Sequence, residues 1–225
     1  MAHGARARPW LLGFVLLLGM LPGAALGSGP LPPAYPLDDL PRTLDERAAL
    51  PCESGTLSLV RYQGEQLRYQ KPLQIHPAFR AQLAAFERIV SAVATQHYGR
   101  APRQIVHLGG YSCRRMRRYP TWVSEHALGN AIDVAGFDFA PAKKGQAALT
   151  APALRRAFQV RLEKHWHGKG PNEPHSRFLR ALARALIDRP DVFHVVLGPA
   201  WPGHHNHFHL DHAPYRVVEV FEPSE

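Results

Sequence analysis

The chain predicts an α+β domain with a mainly antiparallel sheet flanked by helices. Two stretches, Pro77 to His97 and Ser176 to Ile187, carry helical spacing of apolar residues. Four short apolar runs bounded by glycine, proline or asparagine read as strands. The helices precede and interrupt the strand runs, so no strand order is readable from them.

The N-terminus reads as an export signal over residues 1–27. Arg6 and Arg8 give a positive start, the apolar stretch from Trp10 to Leu26 follows, and Ala25-Leu26-Gly27 supplies small residues for cleavage after Gly27. Gly13, Gly19, Pro22 and Gly23 interrupt the stretch, which suits removal rather than a lasting membrane span. No cysteine precedes Cys52, which excludes a lipid-modified N-terminal cysteine, and Ala7 separates the two arginines, which gives no support to a twin-arginine signal. Cleavage would leave residues 28–225, enough for one domain with a real core. It would also take the formal charge of +9 down by Arg6 and Arg8 to +7. A basic exported protein suits an anionic surface such as a cell wall. Nucleic acid is not expected, since export and the lack of a recognised binding motif both oppose it.

Residues 28–51 contain Pro30, Pro32, Pro33, Pro36, Pro41 and Pro51 and read as an extended leader without packed structure. The domain proper is expected over 52–225. Thr56 to Tyr62 alternates loosely, as a strand would. In the first helix Pro77 suits the opening turn, Phe79, Leu83, Phe86, Val90 and Val93 repeat at three and four, and Gly99 stops the element. Residues 104–108 read as a short buried strand closed by Gly109-Gly110, and residues 130–137 as another strand. Arg155 to His165 is expected to be helical, within a longer excursion over 141–175 that ends in a loop around Gly168 to Pro174. His165 and His167 are expected on the surface or a cleft wall. Phe193 to Leu197 and His205 to Asp211 complete the strand set.

Cys52 and Cys113 are the two cysteines, and an exported pair is expected to form a disulfide. The bridge would tie the start of the domain to the segment ahead of the motif that carries the chemistry.

That motif is Ser124-Glu125-His126-Ala127-Leu128-Gly129-Asn130-Ala131-Ile132-Asp133. His126 stands before a turn signal, and Asp133 follows on an alternating strand with Ala131 and Ala135 on its own face. A carboxylate framed by apolar neighbours is costly to bury unless it binds something positive. The second half is Gly203-His204-His205-Asn206-His207-Phe208-His209-Leu210-Asp211. On a strand, His205, His207, His209 and Asp211 share one face, with His207 and His209 about 7 Å apart. Two histidines and a carboxylate suit zinc, with a fourth position left for water. Four groups are available, His126, Asp133, His207 and His209. If three bind metal, the fourth is left as a base or charge stabiliser.

Several stretches together resemble the extensin-like C-terminal domain, a bacterial family similar to the D-Ala-D-Ala metallopeptidases and hedgehog-type proteins. They are Tyr111-Ser112-Cys113-Arg114, Ser124-Glu125-His126 through Asp133-Val134-Ala135-Gly136-Phe137, Phe178-Leu179-Arg180, Val196-Leu197-Gly198-Pro199 and His207-Phe208-His209-Leu210-Asp211. The resemblance implies a hedgehog- or peptidase-like fold and a zinc site made by His126, Asp133 and His209. It implies His207 as catalytic base and Arg114 as a substrate-binding arginine. The implied activity is zinc-dependent hydrolysis of peptide bonds in cell-wall peptidoglycan, outside the bacterial cytoplasm, in the periplasm or beyond. The implied alternative is a zinc-stabilised wall-binding module without turnover. The chain departs from the dipeptidases of that group, which carry a glutamate shortly before the last histidine, where Asn206, His207 and Phe208 stand here. It also departs from other extensin-like chains, which usually place aspartate at the position of Asn206 and have more cysteines.

Overall fold

The computed structural model describes Met1, residues 34–143 and residues 152–223. Apart from Met1, the expected export signal lies outside the described residues, as do residues 28–33 of the expected leader. The strands are β1 (Val60–Tyr62), β2 (Arg68–Tyr69), β3 (Leu73–Ile75), β4 (Gln104–Gly109), β5 (Arg115–Met116), β6 (Tyr119–Val123), β7 (Ala131–Phe139), β8 (Phe158–Arg161), β9 (Val195–Leu197), β10 (Phe208–Asp211) and β11 (Val217–Glu219). The helices are α1 (Arg80–Tyr98), α2 (Leu162–His165) and α3 (Glu173–Ile187). Among the described residues, no helix is long and apolar enough to cross a membrane.

The main sheet runs β11-β9-β10-β7-β4-β2, with β8 also paired to β7. Its centre is antiparallel, as expected, but β11 pairs with β9 and β2 with β4 in parallel, so the sheet is mixed. β7 is the hub. β4 takes one edge of it, while β10 (beside residues 131–134) and β8 (beside residues 136–139) share the other. Ile132 and Val134 are buried, and then the apolar set shifts by one residue to Phe137 and Phe139. A bulge against β4 between Val106 and His107 absorbs the shift, keeping all four on the core face. Gly136 sits at this step, where a Cβ would lie 2.0 Å from the Val160 carbonyl oxygen, so any side chain there would push β8 away.

The core lies between this sheet and the helices α1 and α3. Leu83, Phe86, Val90 and Ala94 of α1 and Phe178, Leu179, Leu182 and Leu186 of α3 pack against Ile105, Ile132, Val134, Phe137, Phe208 and Leu210. The apolar spacing in both helices is therefore the signature of this contact. Glu87 falls on the buried face of α1 and is fully satisfied there. Its carboxylate accepts from the Tyr62 hydroxyl at 2.7 Å and from the backbone N–H groups of Glu65, Gln66 and Leu67 at 3.0, 2.6 and 3.1 Å. It thereby fastens the turn between β1 and β2 to the helix.

Residues 34–51 are mostly irregular but not unpacked. Leu37 and Leu50 are buried against Val123, Ala127 and Leu128, Arg42 O accepts from Val123 N at 2.8 Å, and Leu44 N donates to Thr121 O at 2.8 Å. The many prolines block a ladder without preventing burial, which corrects the reading of this stretch as an unpacked leader. The helix expected over 155–165 is corrected too. Residues 158–161 form β8, between a 3-10 turn that ends at Arg155 and the single α turn Leu162–His165. The excursion thus adds a strand to the sheet and places Trp166 in the core. His165 is buried there, its Nδ1 2.9 Å from Arg161 N, rather than on the surface or a cleft wall as expected, whereas His167 is exposed, 3.5 Å from Glu222.

Candidate metal centre

The candidate ligands lie on the face of the sheet opposite the helices. Asp133 on β7 and His209 on β10 are direct cross-strand partners, so both side chains leave the same face. His126 comes from a single 3-10 turn, Glu125–Leu128, that ends at Gly129 with φ 65°. A side chain at Gly129 would be strained by that φ and would also meet His76 N at 2.6 Å. The turn reverses the chain so that His126 faces the strand it precedes.

The three side chains converge. His126 Nε2 is 3.2 Å from Asp133 Oδ1 and 3.1 Å from His209 Nδ1, and His209 Nδ1 is 3.0 Å from Asp133 Oδ1. Tetrahedral zinc with ligand bonds of about 2.0–2.1 Å holds its donors about 3.3 Å apart, so these separations fit. The remaining ring nitrogens are also engaged. His126 Nδ1 lies 3.1 Å from the Gly110 carbonyl oxygen and His209 Nε2 lies 2.8 Å from Asp211 Oδ2. Each ring can therefore donate its proton outward and turn a lone pair to the centre, as metal-binding histidines do. Asp211 is itself held, accepting from Ala213 N at 3.0 Å.

Electrostatics favour a cation here. Burial would raise the Asp133 carboxyl, but hydrogen bonds from His126 and His209 outweigh it and hold the group well below the usual carboxylate range. Burial would lower His209, but Asp133 and Asp211 on either side push it up to about 10. Surroundings that hold a proton so firmly on a buried ring equally suit a metal ion. Among the described residues, His126, Asp133 and His209 form the one cluster of at least three His, Cys, Asp or Glu side chains with metal-ligand spacing.

His207 stands beside the cluster, with Nε2 3.6 Å from Asp133 Oδ1. Its Nδ1 is 2.7 Å from Asn206 Oδ1, which leaves the Nε2 lone pair toward the cluster. Burial lowers its pKa, with Asp133 pulling the other way, so the ring is neutral at neutral pH. His204, to which the strand alternation gave no role, packs against His207 with ring centroids 4.7 Å apart and is lowered to about 4, chiefly by burial. His205 is exposed and does not share the face as expected, because β10 begins only at Phe208 and residues 201–207 are irregular. Arg114 is exposed, and its guanidinium lies 3.4 Å from the Arg115 carbonyl oxygen.

Cys52 and Cys113 form the expected disulfide. It anchors the loop whose Gly110 carbonyl faces His126, and Ser112 N also donates to His126 O at 3.0 Å. Beneath the 3-10 turn lies a polar network that sequence reasoning missed. Buried Glu125 accepts from Arg42 at 2.6 and 3.2 Å and from Asn130 at 2.6 Å, and Tyr35 donates to Asn130 at 2.5 Å. An acidic residue in the same turn as the apolar pair Ala127-Leu128 was the available signal, but its partner Arg42 lies 83 positions away in the chain.

Fold and centre together define an α+β protein with a two-histidine, one-aspartate cluster on the open face of a mixed sheet. The chain belongs to the family described as Extensin-like protein C-terminus, which it matches over residues 40–220. The match begins inside the stretch that the prolines had suggested was a leader. No curated protein and no solved structure matches the chain.

Proposed function

We propose that the protein is an exported, zinc-dependent hydrolase of peptide bonds in cell-wall peptidoglycan, allied to the D-Ala-D-Ala metallopeptidases. The observation that carries the reading is the convergence of His126, Asp133 and His209, with His207 beside them but outside the ligand triangle. His126, Asp133 and His209 would hold a zinc ion, which would supply Lewis acidity to a water and to a carbonyl. Asp211 and the Gly110 carbonyl keep the two histidine ligands in the correct tautomer and orientation. His207, neutral and fixed by Asn206, takes a proton at Nε2 from the attacking water and returns it to the leaving amine. The basic chain favours an anionic wall.

The test is digestion of purified peptidoglycan, read by mass spectrometry with and without a chelator. Soluble peptide fragments that vanish with chelator, and vanish in a His207→Ala variant that still binds zinc, are the expected result. A zinc-loaded, folded protein that releases no peptide fragment would refute hydrolysis.

A further inference from the structure

A groove of ≈ 590 Å³ runs between the β1–β3 pair and the far end of β4. That volume lies within the range of ligand pockets, about 300–1,000 Å³. Arg61, Lys71, Gln74, Leu108 and Gly109 are among the residues that line it, and among the described residues the lining contains no aspartate or glutamate. β2 covers β4 only at Gln104 and Ile105, so beyond that point no described strand adds to this edge of β4. Arg61 and Gln74 are cross-strand partners, and both are exposed. Leu108 is 50 % exposed, one of few large apolar side chains so presented among the described residues.

The groove meets the metal centre at Gly109. Gly109 is the cross-strand partner of Asp133, so a side chain there would leave the same face as Asp133. A Cβ on Gly109 would find nothing within 4 Å, which makes this position open space beside a ligand of the centre. The adjoining Gly110 is tight instead, with a Cβ there 2.9 Å from Leu73, and its carbonyl faces His126. Lys71 O lies 2.9 Å from the His107 ring, and His107 is two strand residues, or about 7 Å, from Gly109.

We propose that this groove is the cleft for an extended, carboxylate-bearing peptide, laid along the uncovered edge of β4 with its reacting end over Gly109. Arg61 and Lys71 attract the carboxylate, Leu108 contacts an apolar side chain, and backbone groups of β4 supply strand-like hydrogen bonds. The proposal rests on the peptidase reading and deepens it by assigning the substrate's charge and path. It assigns carboxylate recognition to Arg61 and Lys71, which line the groove, in place of Arg114, which does not.

The test measures binding separately from turnover. Zinc-loaded protein with His207→Ala is titrated with N-acetyl-Ala-Glu-Ala-Ala and with the same peptide with both carboxyl groups amidated, followed by amide chemical shifts. The acidic peptide is expected to bind about five- to tenfold more tightly, as two partly solvated charge contacts allow. Its shifts should cluster at 59–61, 71–74 and 107–111. Arg61→Glu with Lys71→Glu should abolish the preference, and Gly109→Leu should block both peptides while zinc content stays unchanged. Equal binding of the two peptides, shifts elsewhere, or an unaffected Gly109→Leu variant would overturn the proposal. If the groove behaves as described but the His207-intact protein cleaves no peptide, the peptidase reading fails and the groove stands. If peptides are cleaved at unchanged rates by the Gly109→Leu and charge-reversed variants, the groove fails and the peptidase reading stands.

Discussion

Replacing Asp211 with Asn tests how the centre is held without touching a ligand. Asp211 is buried, with Oδ2 2.8 Å from His209 Nε2 and Oδ1 accepting from Ala213 N at 3.0 Å. In the variant, the amide oxygen keeps the contact with Ala213 and the NH2 group faces His209 Nε2. A donor there requires Nε2 to carry the lone pair, which moves the ring proton to Nδ1. Nδ1 is the atom 3.1 Å from His126 Nε2 and 3.0 Å from Asp133 Oδ1, so the proton would occupy the ligand position. Loss of such an orienting partner costs about 10–100-fold in metal affinity, or about 1.4–2.7 kcal/mol. Zinc competition against a chromophoric chelator measures this, and thermal unfolding of the metal-free proteins checks that the variant folds. Zinc affinity within about twofold of the wild type would refute the orienting role, since the expected loss starts near tenfold.

Three further outcomes follow from the fold. Reducing the Cys52–Cys113 bridge, which spans 61 positions, should lower stability by about 4 kcal/mol in urea titrations, from the loop entropy it restrains. Glu125→Ala should cost about 3–5 kcal/mol by leaving the buried Arg42 guanidinium unpaired, while Arg42→Met with Glu125→Leu should cost clearly less. His175 is lowered to about 4, first by burial and then by His165 and Lys164, against an ordinary value of 6.5. Its neutral folded form binds fewer protons than the unfolded chain, so its contribution is intact above about pH 6.5 and is lost as pH falls toward 4. Denaturant midpoints followed over that window should fall less steeply in His175→Phe, and an unchanged slope would show that this ring is not held neutral.

Much of the centre was legible because its parts are local. His126 and Asp133 lie seven positions apart around a glycine turn, and His209 sits on a strand whose Phe208 and Leu210 face the core. α1 was legible for the same reason, since one helix face meets one core. The rest depended on pairing between distant segments. β8 looked helical because four residues are too few to display a period of two, and it is a strand only because β7 has an edge left beyond β10. Arg42 looked like a leader residue because Glu125 lies far along the chain. His205 left the shared face, and His204 packs on His207 instead, because the strand starts later than the histidine run suggests.

The most direct measurement is the zinc content of the folded protein after equilibration with excess zinc and desalting, compared with Asp133→Ala and His209→Ala. One tightly held ion per chain, absent from both variants while their helix and strand content is kept, is the result expected of a centre formed by His126, Asp133 and His209. A wild-type protein that retains no metal, or variants that retain a full equivalent, would contradict it.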